Sequence, residues 1–185
     1  MTAPGAADGA SRAPVPDRAG AHAGRAGAAE GVAALVLGCL ARAGHSLAAA
    51  ESLTGGLLTA ELTSVPGSST VVRGAVVAYT TDLKTRLLGV DGSLLARVGP
   101  VDAAVAEAMA EGVRAHLGST YGVATTGEAG PETGSEAPIG TVFVAVSGPD
   151  GQVCRALELV GERRRIREAA VDAALRLLAD VVAPT

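Results

Sequence analysis

The stretch that decides the fold is Ser46-Leu47-Ala48-Ala49-Ala50-Glu51-Ser52-Leu53-Thr54-Gly55-Gly56-Leu57-Leu58-Thr59-Ala60-Glu61-Leu62. Residues 46–50 form a short apolar run bounded by a turn, which reads as a buried strand. Residues 51–56 combine small and polar side chains with two adjacent glycines, the composition of a turn. Residues 57–62 resume as a helix. A strand that passes through a tight turn into a helix is the repeating unit of layered α/β domains.

Outward from this unit the same alternation continues. On the N-terminal side, Val32, Leu35, Val36, Cys39 and Leu40 recur at helical spacing from Glu30 to Arg42, and Gly44 supplies a stop. Residues 1–27 are rich in Ala, Gly and Pro and carry too little apolar surface to order themselves, so they read as a disordered tail. On the C-terminal side, residues 71–79 are β-branched and apolar and predict a strand. Short helices are expected at 82–88, closed by Gly89, and at 93–98. Asp102 is a good N-cap for a helix through Leu117. Strands follow at 121–125, 141–146 and 152–160, and a last helix at 163–182. The late strands adjoin one another without an intervening helix. The predicted architecture is therefore α/β: a three-layer α/β/α domain over 28–185 with a mixed, largely parallel sheet.

The composition excludes several function classes. Hydrophobic residues make up 48% of the 185 positions but aromatics only 2%, so Ala, Val and Leu must build the core. Only Tyr79, Tyr121 and Phe143 could stack on unpaired bases, and the net charge is -4. General nucleic-acid binding does not fit such a surface. Two cysteines, Cys39 and Cys154, form no disulfide framework and are expected as buried free thiols. No apolar stretch approaches the ~18 residues of a membrane span, and the N-terminus lacks the pattern of a secretory signal. A cytoplasmic protein without membrane or nucleic-acid partners is expected. His45 and His116 have no evident partner, and nothing in the chain has metal-ligand spacing, so neither metal nor cofactor is expected.

Four segments could carry chemistry. Lys84 is the single lysine, and the other 14 of the 15 Lys and Arg residues are arginine. Lysine can surrender its proton and act as a base, which arginine cannot. Lys84 falls in the first turn of a short helix, facing the positive end of its dipole, five residues after Tyr79. Equally, it could be one solvated surface charge among arginines. The 51–56 turn offers the hydroxyls of Ser52 and Thr54 and, at the start of a helix, free N–H groups able to hold an anion. Its plainer role is a helix cap with glycines that relieve crowding. The segment Thr125-Thr126-Gly127-Glu128-Ala129-Gly130-Pro131-Glu132-Thr133-Gly134 is a loop after a strand, where open α/β sheets tend to bind ligands. Arg163, at the head of the last helix, runs against the helix dipole. It answers a negative partner, either a ligand phosphate or a local carboxylate such as Glu158.

In order, residues 50–56 (Ala-Glu-Ser-x-Thr-Gly-Gly), 78–90 (Ala-Tyr-x-x-x-x-Lys-x-x-x-Leu-Gly-Val), 126–131 (Thr-Gly-x-Ala-Gly-Pro), 138–142 (Pro-x-Gly-Thr-Val) and 161–167 (Gly-Glu-Arg-x-x-Ile-Arg) resemble the CinA C-terminal domain family, over about residues 30–182. The family includes stand-alone nicotinamide-nucleotide amidohydrolases, which convert nicotinamide mononucleotide to nicotinate mononucleotide and ammonia without a metal. The resemblance implies the stand-alone form, without the N-terminal domain of larger members. It implies Ser52 as nucleophile, with Tyr79 and Lys84 activating it. Thr54, Gly55 and Gly56 would supply oxyanion and substrate contacts, and Thr126, Gly127, Gly130 and Arg163 would hold ribose and phosphate. A homodimer or larger homo-oligomer is also implied.

The chain departs from the family pattern at Leu53, Thr81, Asp102, Glu128 and Glu162. Glu128 stands where an aliphatic residue is usual, inside the ligand loop, and a carboxylate there is unfavourable beside a phosphate. Two rival functions stay open: a non-catalytic nucleotide-binding or regulatory module of the same fold, and an amidase for another small amide.

Overall fold

The computed structural model describes residues 26–183 apart from 133. Five strands and six α-helices follow one another as α1 (Ala26–Ala43), β1 (Leu47–Glu51), α2 (Leu57–Ser64), a 3-10 turn (Ser68–Thr70), β2 (Val72–Val77), α3 (Thr81–Leu88), α4 (Gly92–Val98), α5 (Ala103–Leu117), β3 (Tyr121–Gly127), β4 (Thr141–Gly148), β5 (Gly151–Glu158) and α6 (Arg163–Val182). The sheet order is β2-β1-β3-β4-β5. β1 pairs parallel with β2 and β3, whereas the β3–β4 and β4–β5 pairs are antiparallel. Four of the five strands therefore point the same way and only β4 is reversed, the mixed sheet expected from adjoining late strands.

Interior strand β1 is buried on both faces, as parallel strands between helix layers are. Its side chains alternate. Leu47 and Ala49 join a core with α1, α2 and α6, while Ala48 and Ala50 join a second core with α3, α4 and α5. The scarcity of aromatics shows in how the second core packs. Its fully buried strand residues are Ala48, Ala50, Ala124 and Ala145, so α5 approaches the sheet closely. A Cβ at Gly122 would lie 2.1 Å from the Ala110 carbonyl oxygen, and one at Gly112 of α5 would lie 1.9 Å from the Leu88 carbonyl oxygen. The missing side chain at Gly112 thus seats α3, which carries Lys84, directly on α5.

Several sequence-based expectations need correction. Helix α1 begins at Ala26, about a turn before the expected start. Small residues precede Glu30, and they extend a helix without adding apolar periodicity. The expected tail otherwise lies outside the described residues. β2 ends at Val77 and leaves Tyr79 beyond the sheet. Cys39 and Cys154 are free, as expected, but half-buried rather than buried.

Helix α2 lies on one face of the sheet and α3 on the other. The chain segments that leave the neighbouring strands β1 and β2 at their carboxyl ends therefore diverge, and a crevice opens between them.

An alanine in place of a helical glycine ordinarily gains up to ~1 kcal/mol, and Gly31, exposed on α1 with no atom near its missing Cβ, should behave so. Gly112→Ala should do the opposite and destabilise by about 1–3 kcal/mol, because the added methyl meets backbone that cannot rotate away. Chemical denaturation of both variants checks the contrast.

Candidate functional site

The crevice is a cleft of about 430 Å³ whose lining includes Ser52, Tyr79, Lys84, Thr126, Glu128 and Arg163. It joins the first turn after β1, the segment after β2, helix α3, the end of β3 with its following loop, and the head of α6.

At its floor, Lys84 is 1% exposed although it sits on a helix of eight residues. Its Nζ lies 2.9 Å from Ser52 Oγ and donates to the Ala78 carbonyl oxygen, also at 2.9 Å. No carboxylate is hydrogen-bonded or ion-paired to it among the described residues. Burial therefore lowers its pKa from the ordinary 10.5 to about 8, because loss of hydration penalises the ammonium. The backbone amide of Ser52 donates to the Thr125 carbonyl, which ties the hydroxyl-bearing residue to the end of β3.

The turn after Ser52 is organised by a residue to which the sequence assigned no role. Glu51 is fully buried, and its carboxylate accepts from the amides of Gly56, Leu58 and Thr59 and from the Thr59 hydroxyl. The first turn of α2 is thus neutralised by the chain's own anion. Gly55 N–H donates to the Ser52 carbonyl, and the Thr54 hydroxyl pairs with that of Thr125 at 2.7 Å. Thr54, Gly55 and Gly56 hold the turn together and do not line the cleft. This corrects the expectation that free N–H groups at residues 54–56 await an anion: those of Gly55 and Gly56 are already bonded. Among the described residues, the amides of Leu53 and Thr54 have no acceptor.

Tyr79 also departs from expectation. It is 55% exposed, and its hydroxyl accepts from Arg163 at 2.7 Å rather than bridging Ser52 and Lys84. The same guanidinium donates to the Gly130 carbonyl. Arg163 therefore links the segment after β2 to the ligand loop, and its remaining N–H groups are available for an anion. The local carboxylate partner expected for Arg163, such as Glu158, is not found among the described residues; the nearby Glu168 pairs with Arg164 instead. Thr126 is buried, lines the cleft, and donates to the Pro100 carbonyl at 2.7 Å. Gly127 lines it as well, and its missing Cβ admits β4. Glu128 is buried at the cleft wall and accepts from the Gly134 amide and the Ser135 hydroxyl. The loop thus folds around its own carboxylate. Among the described residues no three or more His, Cys, Asp or Glu side chains cluster as a ligand set.

Sequence reasoning missed Glu51 and Arg167, which donates to the carbonyls of Leu53 and Thr54 at 2.8 and 2.6 Å. The one signal present was the motif position of Arg167, whose helical spacing from Arg163 puts both on one face of α6.

Residues 29–182 match the CinA C-terminal domain. The chain belongs to the CinA C-terminal domain family. A CinA-like protein of Frankia casuarinae is 49% identical over 165 residues, covering 89% of this chain and 37% of that protein. A CinA-like protein of Myxococcus xanthus is 47% identical over 151 residues, covering 80% of this chain and 36% of that one. The chain thus spans about a third of the length of these curated relatives. The crystal structure of the competence/damage inducible protein CihA from Agrobacterium tumefaciens superposes with a TM-score of 0.80 at 35% identity, covering 83% of this chain and 94% of that one. Membership in the CinA family fixes the fold. Among the described residues no helix is long and apolar enough to cross a membrane.

The lowered pKa of Lys84 has a consequence for stability. Below pH 8 the amine is protonated both folded and unfolded, and its burial costs about 3 kcal/mol. Between about 8 and 10.5 the unfolded chain binds more protons, so this contribution to stability rises with pH. Relative to Lys84→Met, the wild-type protein should therefore gain about 2–3 kcal/mol between pH 7 and pH 10, read by denaturant titration at each pH. A constant difference would place an ordinary lysine there.

Proposed function

We propose that this CinA-family domain is an amidohydrolase that converts nicotinamide mononucleotide to nicotinate mononucleotide and ammonia. The observation that carries the reading is the buried 2.9 Å contact between Lys84 Nζ and Ser52 Oγ, with the amine pKa near 8. About one Lys84 in ten is then neutral at pH 7, against fewer than about one in a thousand for an ordinary lysine. A hydroxyl next to a neutral amine is an activated nucleophile that needs no histidine.

The chemistry runs in two halves. Ser52 Oγ bonds to the carboxamide carbon as its proton passes to Lys84 Nζ, and the carbonyl electron pair moves onto oxygen. The amide of Leu53, which lacks an internal acceptor among the described residues and belongs to a residue lining the cleft, is the donor nearest the nucleophile in the chain and would stabilise that oxyanion. When the pair returns, the carbon–nitrogen bond breaks, and the Lys84 ammonium gives its proton to the departing nitrogen, which leaves as ammonia. Water then attacks the ester carbon, its proton passing to Lys84. The Oγ–carbon bond breaks, and Ser52 recovers its proton from Lys84. Tyr79 would supply an aromatic wall for the ring and orient Arg163 towards the phosphate. Thr126 and Gly127 would hold the ribose. A homodimer or larger assembly in the cytoplasm belongs to the same reading.

Glu128 and Glu132 both line the cleft, and they favour a second reading, an amidase for a small amide without phosphate. One assay separates the two. Ammonia release should be fastest from the mononucleotide, and Ser52→Ala should abolish it in a folded protein. Lys84→Arg should lower the rate by roughly 10²–10⁴-fold, because guanidinium keeps its proton. Arg163→Ala should weaken use of the mononucleotide by about 1.5–3 kcal/mol and leave the riboside nearly unchanged. A wild-type enzyme that prefers the riboside would select the second reading.

A further inference from the structure

Helix α6 reaches the nucleophile turn through one side chain. Arg167, half-buried and one helical turn beyond Arg163, donates from Nε to the Leu53 carbonyl at 2.8 Å and from a terminal nitrogen to the Thr54 carbonyl at 2.6 Å. Gly55 makes the approach possible, since a Cβ there would lie 3.2 Å from the guanidinium. The residue joins sites separated by more than 110 positions and touches no other carbonyl among the described residues.

What this does to the turn follows from peptide geometry. The C=O and N–H of a trans peptide are fixed in one plane and point in opposite directions. Holding the Thr54 carbonyl towards α6 therefore fixes the peptide plane that carries the Gly55 N–H. The Ser52 carbonyl is likewise held, by Gly55 N–H, and this sets the Leu53 N–H opposite to it. Of the two turn amides that lack acceptors among the described residues, those of Leu53 and Thr54, only the Leu53 amide belongs to a residue that lines the cleft. A donor that must meet a developing oxyanion is useful only if its direction is set before the charge appears.

We propose that Arg167 is a positioning residue that presets the Leu53 amide as the oxyanion donor for Ser52. The proposal rests on the assignment of Ser52 as nucleophile but not on the identity of the amide. It makes the arginine pair of α6 divide the labour: Arg163 faces the ligand, and Arg167 holds the nucleophile turn. Arg167 acts through two backbone carbonyls and does not line the cleft.

The test uses a fluorophosphonate as probe, which needs no cognate substrate. Ser52 Oγ bonds to phosphorus, fluoride leaves, and the hydroxyl proton passes to Lys84, while negative charge builds on the phosphoryl oxygen. The second-order labelling rate at Ser52 is followed by mass spectrometry from about pH 6 to 10 for the wild type, Arg167→Met and Arg167→Lys, with Ser52→Ala as blank. Arg167→Met should label roughly 10–10²-fold more slowly, short of the 10²–10³-fold expected when a donor is removed outright. Arg167→Lys, able to hold one carbonyl at a time, should fall between. The midpoint of the pH profile should stay near that of the wild type in both variants, because Lys84 is untouched. Labelling of folded Arg167→Met at the wild-type rate would overturn the proposal, as would a loss of rate accompanied by a shifted midpoint, which marks general loosening of the site. If Arg167→Met fails to fold, Arg167→Lys decides on the same two criteria. A wild type that labels at Ser52 but releases no ammonia from the mononucleotide would sink the substrate assignment and leave the role of Arg167 standing. A wild type that does not label at Ser52 would sink both.

Discussion

The amine of Lys84 has given up nearly all of its water, and its two close partners are a serine hydroxyl and a backbone carbonyl. A charged ammonium is poorly served there, so the site is tolerable only if the amine spends part of its time neutral. Much of the surrounding structure keeps that amine dry and close to Ser52. Helix α3 must lie flat on α5, which Gly112 permits. The carboxyl ends of β1 and β2 must sit side by side in parallel register, with Glu51 opposite Val77. The alanine-rich second core lets helices approach the sheet closely enough to bury a lysine without aromatic cover.

The nucleophile turn shows a second constraint. A helix N-terminus pointing at a cleft is an inviting anion site, yet α2 fills its own with Glu51. Buried and satisfied by four donors, that carboxylate fixes where the helix starts and therefore where Ser52 stands. In the proposed mechanism, oxyanion stabilisation then falls to the Leu53 amide, earlier in the turn and nearer Ser52. The ligand loop follows the same logic, with Glu128 accepting from Gly134 and Ser135. In both places a carboxylate inside the chain occupies donors that a ligand would otherwise meet. The cleft therefore relies on Arg163 for any phosphate.

How much of this was legible in the sequence depends on the range of the interactions. The 46–62 strand–turn–helix, the adjoining late strands that imply a mixed sheet, and the glycine stops are local, and composition and periodicity exposed them. Ser52 and Lys84 could be paired through the ordered motifs of the CinA family, and they meet in space. Tyr79 was misjudged because the direction of a side chain beyond a strand end is set by a partner, here Arg163, 84 positions away. Glu51 escaped notice because capping rules look for acids within the first turn of a helix, whereas this one reaches forward from the preceding strand. Arg167 was visible only as a motif letter, since its targets are backbone carbonyls and carbonyls have no sequence signature.

Because Lys84 is the only lysine, incorporation of lysine labelled with carbon-13 at Cε gives a single side-chain signal, free of overlap, in the intact protein. Following its chemical shift from about pH 6 to 11 measures the ionisation of the amine directly, with no substrate and no mutation. One titration centred near pH 8 is expected, set by burial beside Ser52. A midpoint at the ordinary lysine value of 10.5 would show that the amine stays charged through neutral pH, and such a lysine cannot be the base that the site requires.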